Sequence, residues 1–517
     1  FFLHSWRLLS AQEQKAYKKL SVFCHDFTYE AARQVAGVTL SELKALIDKS
    51  MIQPKHTARY AMHELLRYYA AEKLAQAPEL ERAIRDRHGA YYAELLHGYT
   101  HHLKGPRRRT ILRQIGQAFD NARAAWEWAV ECQHIEWLGQ AVDGLGHFFE
   151  WHGRHADGET ACKAAAEAIE TLDTEREVQV RARVLAWQSL FAERLGHLDT
   201  AERAARQSLA ILDDPSLAGL DTRPTRAFAL RQAAKAALHT DLGQSRQLGE
   251  QSLDLYQTLG EQWEIAGVLD ELGWTASLAG DYGSARCVYE ESLKLYQGMG
   301  DPRGIASALG ALGYTLFHHG RFQEAERLVR ESIASRKENA DWAQAAEDLF
   351  VLGLTLVWLG KLAEAHSLME ESIASYKHMG ALAEVARLYA VLSQIEALQG
   401  SYEQARALAQ TCLSMAQESG SWREIGICFW VLGGVATAEK AYTVAQGWLQ
   451  ESIVVLEKVG MPDVLGAALA TAGYAAWGAG RWNQAREFLA RALHTAETTH
   501  SRGAFLLTLP GVALLMI

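Results

Sequence analysis

A 40-residue clock runs through the second half of the chain. Small residues recur at Gly280, Gly320, Gly360, Gly400 and Gly480, with Lys440 standing at the skipped beat. Behind the beats come GDYGSA, GRFQEA, GKLAEA, GSYEQA, KAYTVA and GRWNQA, which end on Ala285, Ala325, Ala365, Ala405, Ala445 and Ala485. Eight residues later stand the apolar Leu293, Ile333, Ile373, Leu413, Ile453 and Leu493. Self-similarity at such a period predicts a solenoid, in which each unit buries its apolar face only by stacking on its neighbours. Such a chain presents a surface for holding something else and rarely carries chemistry of its own.

Each unit reads as apolar helix, Gly-led turn, second apolar helix and loop. The Gly at the beat fits the position after a helix end, where a left-handed conformation costs it no Cβ clash. The Ala five residues on lets the second helix approach the first. Gly273, Gly313, Gly353, Gly433 and Gly473 lie inside first helices, where Gly costs about 1 kcal/mol against Ala, so close helix contact is the reason to keep them. Register counting puts units at about 182–213, 222–258, 262–298, 302–338, 342–378, 382–418, 422–458 and 462–498, followed by a cut helix at 502–517. A local distortion is expected at Lys440, and a bend at Asp214–Arg223, whose Pro215 and Pro224 interrupt the clock.

Leu272-Gly273, Gly280, Ala285, Tyr289 and Leu293 resemble the tetratricopeptide repeat at that family's signature spacings, in a variant with longer helices. The expected fold class is therefore all-α: a right-handed superhelical solenoid of about eight 40-residue helical hairpins, preceded by a small winged-helix domain and a helical arm. The expected organisation is a winged helix at 1–75, an arm or linker with a degenerate repeat at 76–175, and the repeat region at 176–517. Phe1 and Ile517 both read as cut ends, which makes the chain a piece of a larger protein.

Charge divides unevenly along the chain. The net is −10, but residues 1–130 hold 20 Lys+Arg against 13 Asp+Glu, leaving 32 against 49 in the remainder. An acidic solenoid argues against nucleic acid as its ligand, since phosphate neutralisation needs clustered cations. The densest basic run, Lys104 with Arg107, Arg108 and Arg109, reads as a solvated turn or an interdomain contact. Six scattered Cys without a CxxC pair fit reduced thiols in a cytoplasmic protein. No stretch is long and apolar enough for a bilayer; Ala504–Ile517 is short and broken by Pro510.

The first 75 residues have a different texture. Helices at Ala11–Phe23, Thr28–Val35 and Ser41–Lys49 precede extended pieces at Ser50–Gln53 and Arg59–Met62 around a tight loop, the order of a winged helix. The third helix lacks the basic character that reading DNA requires. SWRLLSAQEQKAYKKLSVF, LIDKSMI and RYAMHELLRYYA resemble the winged-helix piece of the STAND signalling NTPases, switches held off by ADP and turned on by ATP. Met62-His63-Glu64 resembles that family's Met-His-Asp motif, with Glu in place of Asp. The resemblance makes His63 a candidate contact to the β-phosphate of ADP; the plainer reading is a helix-capping histidine. The chain holds no GxxxxGK[ST] loop, so it is not expected to be an enzyme by itself. ADP or ATP is expected only with upstream residues.

Tetratricopeptide superhelices bind ligands on the concave face lined by the first helix of each pair. That register gives Asp270, Trp274, Tyr314, Phe317, His318, Glu347, Phe350, Trp358, Arg387, Trp430, Tyr474 and Trp477 as groove candidates, eight of them aromatic. Aromatic faces stack on sugars, bases and apolar side chains; the competing reading is aromatics buried between layers. His97/His101/His102 and His152/His155 have metal-like spacing but no completing ligand, so no metal is expected. Two functions remain. One is the sensor portion of a STAND ATPase, which binds a small-molecule or peptide inducer and controls activation and self-association. The other is a protein-interaction scaffold without a nucleotide switch. No nucleic-acid or membrane partner is expected.

Overall fold

The computed structural model describes residues 6–55, 58–104, 107–169, 174–238, 240–339, 341–378 and 380–498. The expected last helix at 502–517 and the residues before Trp6 lie outside them. The chain divides into two compact units, Phe1–Glu261 and Gln262–Ile517. Both are helical, and the fold is an all-α tetratricopeptide-repeat solenoid.

The first unit opens with α1 (Ala11–Leu20), β1 (Phe27–Thr28), α2 (Tyr29–Ala31) running into a π-helical turn at Ala32–Ala36, and α3 (Leu40–Asp48). Then come β2 (Ile52–Lys55), β3 (Arg59–Met62) and α4 (Glu64–Ala75). Ser10 and Thr39 start α1 and α3 with reciprocal capping boxes to Glu13 and Glu42, which satisfy amide donors that a helix start otherwise leaves open. The strands form a small antiparallel sheet in the order β1-β3-β2, with Ile52 opposite Met62 and Phe27 opposite Tyr60. The first extended piece, expected at Ser50–Gln53, runs as β2 through Pro54 and Lys55. β1 is two residues long and has no alternation by which a sequence could show it.

Two long helices follow, α5 (Pro78–Leu103) and α6 (Arg108–Glu131), then α7 (Ile135–Trp151) and α8 (His155–Ala168). The expected degenerate repeat at 151–169 is thus the second half of a full helix pair. The unit continues with α9 (Glu175–Arg194), α10 (Leu198–Leu212), a 3-10 turn at Pro215–Gly219, α11 (Arg223–Ala237) and α12 (Leu242–Leu259). The 3-10 turn occupies the segment expected to bend.

The start of the first unit is tied to α5 and α6 by a buried polar node. The Asn121 carbonyl oxygen accepts from the Cys24 backbone N–H (2.9 Å) and lies 3.2 Å from His88 Nε2. The Asn121 amide donates to the Asp26 carbonyl at 3.1 Å. Arg59 Nη2 on β3 donates to the Asp26 carbonyl and carboxylate, both at 3.0 Å, and to the Gln117 carbonyl at 2.9 Å. Asn121, His88 and Arg59 are all buried. Burial pushes the His88 imidazole down to about 4, against the opposing pull of its bond to Asn121.

Among its described residues the second unit holds six helix pairs: α13 (Gln262–Leu278) with α14 (Tyr282–Met299), α15 (Pro302–His318) with α16 (Phe322–Glu338), and α17 (Trp342–Trp358) with α18 (Leu362–His378). The remaining pairs are α19 (Leu382–Leu398) with α20 (Tyr402–Ser419), α21 (Trp422–Ala438) with α22 (Tyr442–Val459), and α23 (Pro462–Gly478) with α24 (Trp482–Thr498). The first helices of successive pairs pack side by side. All six Ala residues that follow the beat are fully buried. The in-helix glycines sit where close contact was expected: an added Cβ would lie 2.3 Å from Val329 at Gly313, 2.4 Å from Leu449 at Gly433 and 2.7 Å from the Tyr289 ring at Gly273.

Lys440 corrects one expectation. It adopts φ +63°, the same left-handed turn as the glycines on the beat, and no distortion occurs. Packing of α21 on α22 imposes the turn on a residue that pays about 1–2 kcal/mol for it. The cysteine reading is corrected too: Cys412 on α20 and Cys428 on α21 form a disulfide. The two lie 16 residues apart in sequence, a separation with no motif; only the stacking of one pair on the next brings them together. Cys24, Cys132, Cys162 and Cys287 are free thiols.

Candidate functional site

The unburied positions of the first helices fall on one stripe. On α15 they include Ser307, Ala311, Tyr314 and His318, and on α17 Glu347, Val351, Leu354 and Trp358. This i, i+4, i+7, i+11 spacing keeps one helix face, so side chains of neighbouring first helices meet across it.

The predicted aromatics join into a run across three pairs. Trp274 on α13 lies 5.7 Å from Tyr314 on α15, centroid to centroid, and Tyr314 lies 4.4 Å from His318. Phe317 meets His318 edge-on at 5.2 Å. Two members escaped the sequence reading because they open second helices. Tyr282 stacks on His318 at 5.3 Å, and Phe322 links Phe317 (5.7 Å) to Trp358, on which it stacks at 5.3 Å. The missed signal is the second residue after the beat: Tyr282, Phe322, Tyr402, Tyr442 and Trp482 are aromatic, and Leu362 is the exception. Trp274 and Trp358 keep 41% and 37% of their surface exposed, so these rings do not vanish between layers.

Beyond the aromatic run sits a charged cluster. Arg387 on α19 pairs with Glu347 on α17 and, at 3.2 Å, with Glu424 on α21. Its guanidinium carbon lies 5.8 Å from the Phe350 ring centre. Arg387 and Glu424 are buried, whereas the Glu347 side chain is 41% exposed. Burial alone would push the guanidinium down; Glu347, Glu424 and Glu384 outweigh it and hold it above its ordinary value. Behind this cluster Arg336 and Ser332 on α16 bond Asp348 at 2.7 and 2.6 Å. Burial raises the Asp348 carboxyl despite them.

The other predicted residues lie apart from this group. Asp270 accepts from the Ser292 hydroxyl of α14 at 2.5 Å, so it is turned toward its own pair. Trp430 donates to Thr471 at 3.1 Å, and Trp477 meets Trp482 edge-on at 6.2 Å; Tyr474 is half-buried on α23. The twelve candidates therefore resolve into one aromatic run, one ion cluster, scattered contacts near α23, and Asp270 by itself on α13.

His63 takes the N-cap position of α4 with extended backbone angles, and its side chain makes no capping hydrogen bond. The ring is exposed, so the capping role is not what it performs. In the basic run, Lys104 pairs with Glu261 at 3.5 Å and Arg108 lies over the Trp151 ring. His152 bonds its own helix at the Phe148 carbonyl, 3.0 Å away, while His97, His101 and His102 are exposed. Among the described residues no group of three or more His, Cys, Asp or Glu is placed to hold a metal ion. Nor is any helix there long and apolar enough to cross a membrane.

The tetratricopeptide-repeat family profile matches residues 304–378, the stretch holding Tyr314 through Trp358. No curated protein matches the sequence. The fold is similar to the crystal structure of a Signal Transduction ATPase with Numerous Domains (STAND) protein with a tetratricopeptide repeat sensor from Pyrococcus horikoshii. That match has 15% identity and a TM-score of 0.50, over 80% of this chain and 64% of that one. The chain thus spans less than two thirds of that protein. The apo form of RapI is also similar, at 10% identity and a TM-score of 0.51, over 72% of this chain and 95% of that one.

Proposed function

We propose that this chain is the sensing and regulatory portion of a STAND-type signalling ATPase. The repeats bind an inducer, and residues 1–175 are the winged-helix and arm portion that couples binding to the nucleotide state. The observation that carries this reading is the unbroken aromatic run Trp274–Tyr314–His318–Phe317–Phe322–Trp358, half open on the face shared by first helices. Rings buried only for packing have no reason to remain accessible across three consecutive pairs. The likeness in fold to a STAND protein with a repeat sensor supports the assignment, as does the sheet and helix order before α4.

The mechanism is a population shift. An inducer that binds the face more tightly in one arrangement of the whole protein favours that arrangement by the difference in affinity, and by no more. The chain supplies no phosphate-binding loop, so ATP chemistry belongs to other residues of the whole protein. His63, exposed at the start of α4 where amide donors favour an anion, is the candidate contact to bound ADP. The output is then activation and self-association.

The test uses the full-length gene product loaded with labelled ADP. Replacing His63 by Ala is expected to speed ADP release at least about tenfold, the effect of losing about 1.4 kcal/mol of contact, while the melting curve stays unchanged. Equal release rates would remove His63 from the switch. A gene product that binds no nucleotide at all would leave the scaffold function, which needs only the repeat face.

A further inference from the structure

Each second helix of the second unit meets the next first helix at a position that recurs with the register. The second helices supply Ser292, Ser332, Ser372, Cys412 and Ser452, so Cys412 is the exception in a row of serines. Sixteen positions on, Asp348 and Cys428 stand where the other first helices carry Ala or Leu. Two of these seams are therefore bridged by side chains. Ser332 on α16 donates to Asp348 on α17 at 2.6 Å, and Cys412 on α20 is bonded to Cys428 on α21. The apolar residues at the other three seams have nothing to bond with.

The bridge at α20–α21 has a workable broken form. At the equivalent positions the Ser332 and Ser452 hydroxyls bond the Ala306 and Gly426 carbonyls of their own first helices. The corresponding carbonyl for Cys412 is that of Ala386, which a thiol can serve as a weak donor. Cys428 without its bond is a small apolar residue among Ala386, Ala409 and Ile425, as Ala308 and Ala468 are at their seams. Neither sulfur has to leave the core. On the open face the same step is held by Arg387 of α19, 3.2 Å from Glu424. Glu424 and Cys428 lie one turn apart on one side of α21, so α19 and α20 grip that helix at neighbouring points.

From this arrangement we infer that the Cys412–Cys428 bond is a redox-operated clamp on the stacking of the α19–α20 pair against the α21–α22 pair. Closed, it fixes α21 beside α20. Open, it leaves the packed seam that other pairs already use, and α21 is then held on this side by the Arg387–Glu424 contact alone. The reductant is a small thiol of the glutathione class. Its thiolate attacks one protein sulfur, forms a mixed disulfide and releases the other cysteine, which takes up a proton. A second thiolate attacks the outer sulfur and frees the first cysteine. Two electrons and two protons pass to the protein, and the small thiols leave as their disulfide. Both sulfurs are fully buried, so exchange waits on local opening of the seam. The clamp acts on the stacking itself, whatever the open face binds.

The test equilibrates the full 517-residue chain with reduced or oxidised glutathione, quenches it in acid, unfolds it and alkylates its thiols. With six cysteines and four of them free, the closed clamp gives four labels and the open clamp six. Reduced glutathione is expected to give six labels while the melting curve stays cooperative. Hydrogen exchange in α19–α22 should then rise at least about tenfold, with α13–α16 unchanged. Oxidised glutathione should restore four labels and the slower exchange. The double change Cys412→Ser and Cys428→Ala, which installs the residues found between α14 and α15, should match the reduced chain in both buffers. Six labels in both buffers would overturn the inference. So would four labels that persist until the chain is unfolded, since the bond is then a permanent staple. Equal exchange in the oxidised and reduced chains, or a double variant that exchanges as slowly as the oxidised chain, would overturn it too. If the double variant does not fold, the comparison of oxidised with reduced wild type decides alone.

Discussion

The start of the first unit and the second unit are held together by opposite means. In the second unit, as already in α9–α12 of the first through Ser208 and Ser252, the same contacts repeat: a buried Ala, a Gly against a neighbour's side chain, and a second-helix Ser hydroxyl bonded to a first-helix carbonyl. Ser292 donates to Ala266, Ser332 to Ala306 and Ser452 to Gly426, at 2.7–3.1 Å. Losing one such contact weakens one pair and its neighbours. In the first unit a single aperiodic node, Asn121 with His88, Asp26, Cys24 and Arg59, fastens the small sheet to the long helices. Repetition spreads stability along a solenoid, whereas a unique joint concentrates it.

The sharpest way to break that contrast is Asn121→Ala. It strands the Cys24 amide and the His88 ring, while the Asp26 carbonyl keeps its bond from Arg59, and each orphaned group costs about 1–3 kcal/mol. A loss near 4 kcal/mol is expected in urea denaturation, with hydrogen exchange rising first in residues 9–75. A loss below about 1 kcal/mol would mean that the node is not the joint.

Acid attacks the same node with slightly less force. The folded imidazole of His88 titrates at about 4, below the value near 6.5 of an unfolded chain. The unfolded state therefore binds the proton first. Stability is complete above pH 6.5 and falls by about 3 kcal/mol as pH drops toward 4. His88→Gln should flatten that slope in melting curves taken between pH 7 and 4, while repeat contacts built from Ala, Gly and Ser have nothing to titrate. A wild-type slope that persists in the variant would move the acid sensitivity elsewhere.

This difference also explains what the sequence made legible. Periodic features could be read because each was stated six times: the helix pairs, the left-handed beat and the small residues at close approaches all stand where the 40-residue register put them. The aperiodic ones could not. Nothing local marks Asn121, whose partners lie 33, 95 and 97 residues away, or Cys412, whose partner reaches it only through the stacking of α20 on α21. A second left-handed beat, at Gly260, Gly300, Gly380, Gly420 and Gly460, joins one pair to the next; the 40-residue register marks only the turn within each pair. At the candidate site the register found Trp274, Tyr314 and Trp358. It could not tell which aromatics would touch, because Tyr282 and Phe322 enter from second helices. Nor could it show that Asp270 accepts from its own pair's Ser292.

Within the repeats a sizeable local effect is expected from Gly433→Ala. Its Cβ would lie 2.4 Å from Leu449, and overpacking of this kind costs about 2 kcal/mol. Hydrogen exchange should rise in α21 and α22, less in α19, α20, α23 and α24, and not at all in α13–α16. A uniform rise along the unit would show a single cooperative block and erase the distinction drawn above.

Lys440 gives the smallest and most discriminating case. Its left-handed backbone, φ +63°, carries a cost of about 1–2 kcal/mol that its counterparts Gly400 and Gly480 avoid. Lys440→Gly removes that strain but returns conformational freedom to the unfolded chain, worth roughly half of it. A net gain of about 0.5–1 kcal/mol is therefore expected. Gly480→Ala, the reverse change one repeat later, should lose about 1 kcal/mol, since nothing lies within 4 Å of the added Cβ and only the backbone resists. Opposite signs at two equivalent turns would establish that the beat is a backbone requirement met independently in each pair. If Lys440→Gly destabilises, the lysine holds its turn through a contact of its own, and that pair is not interchangeable with its neighbours.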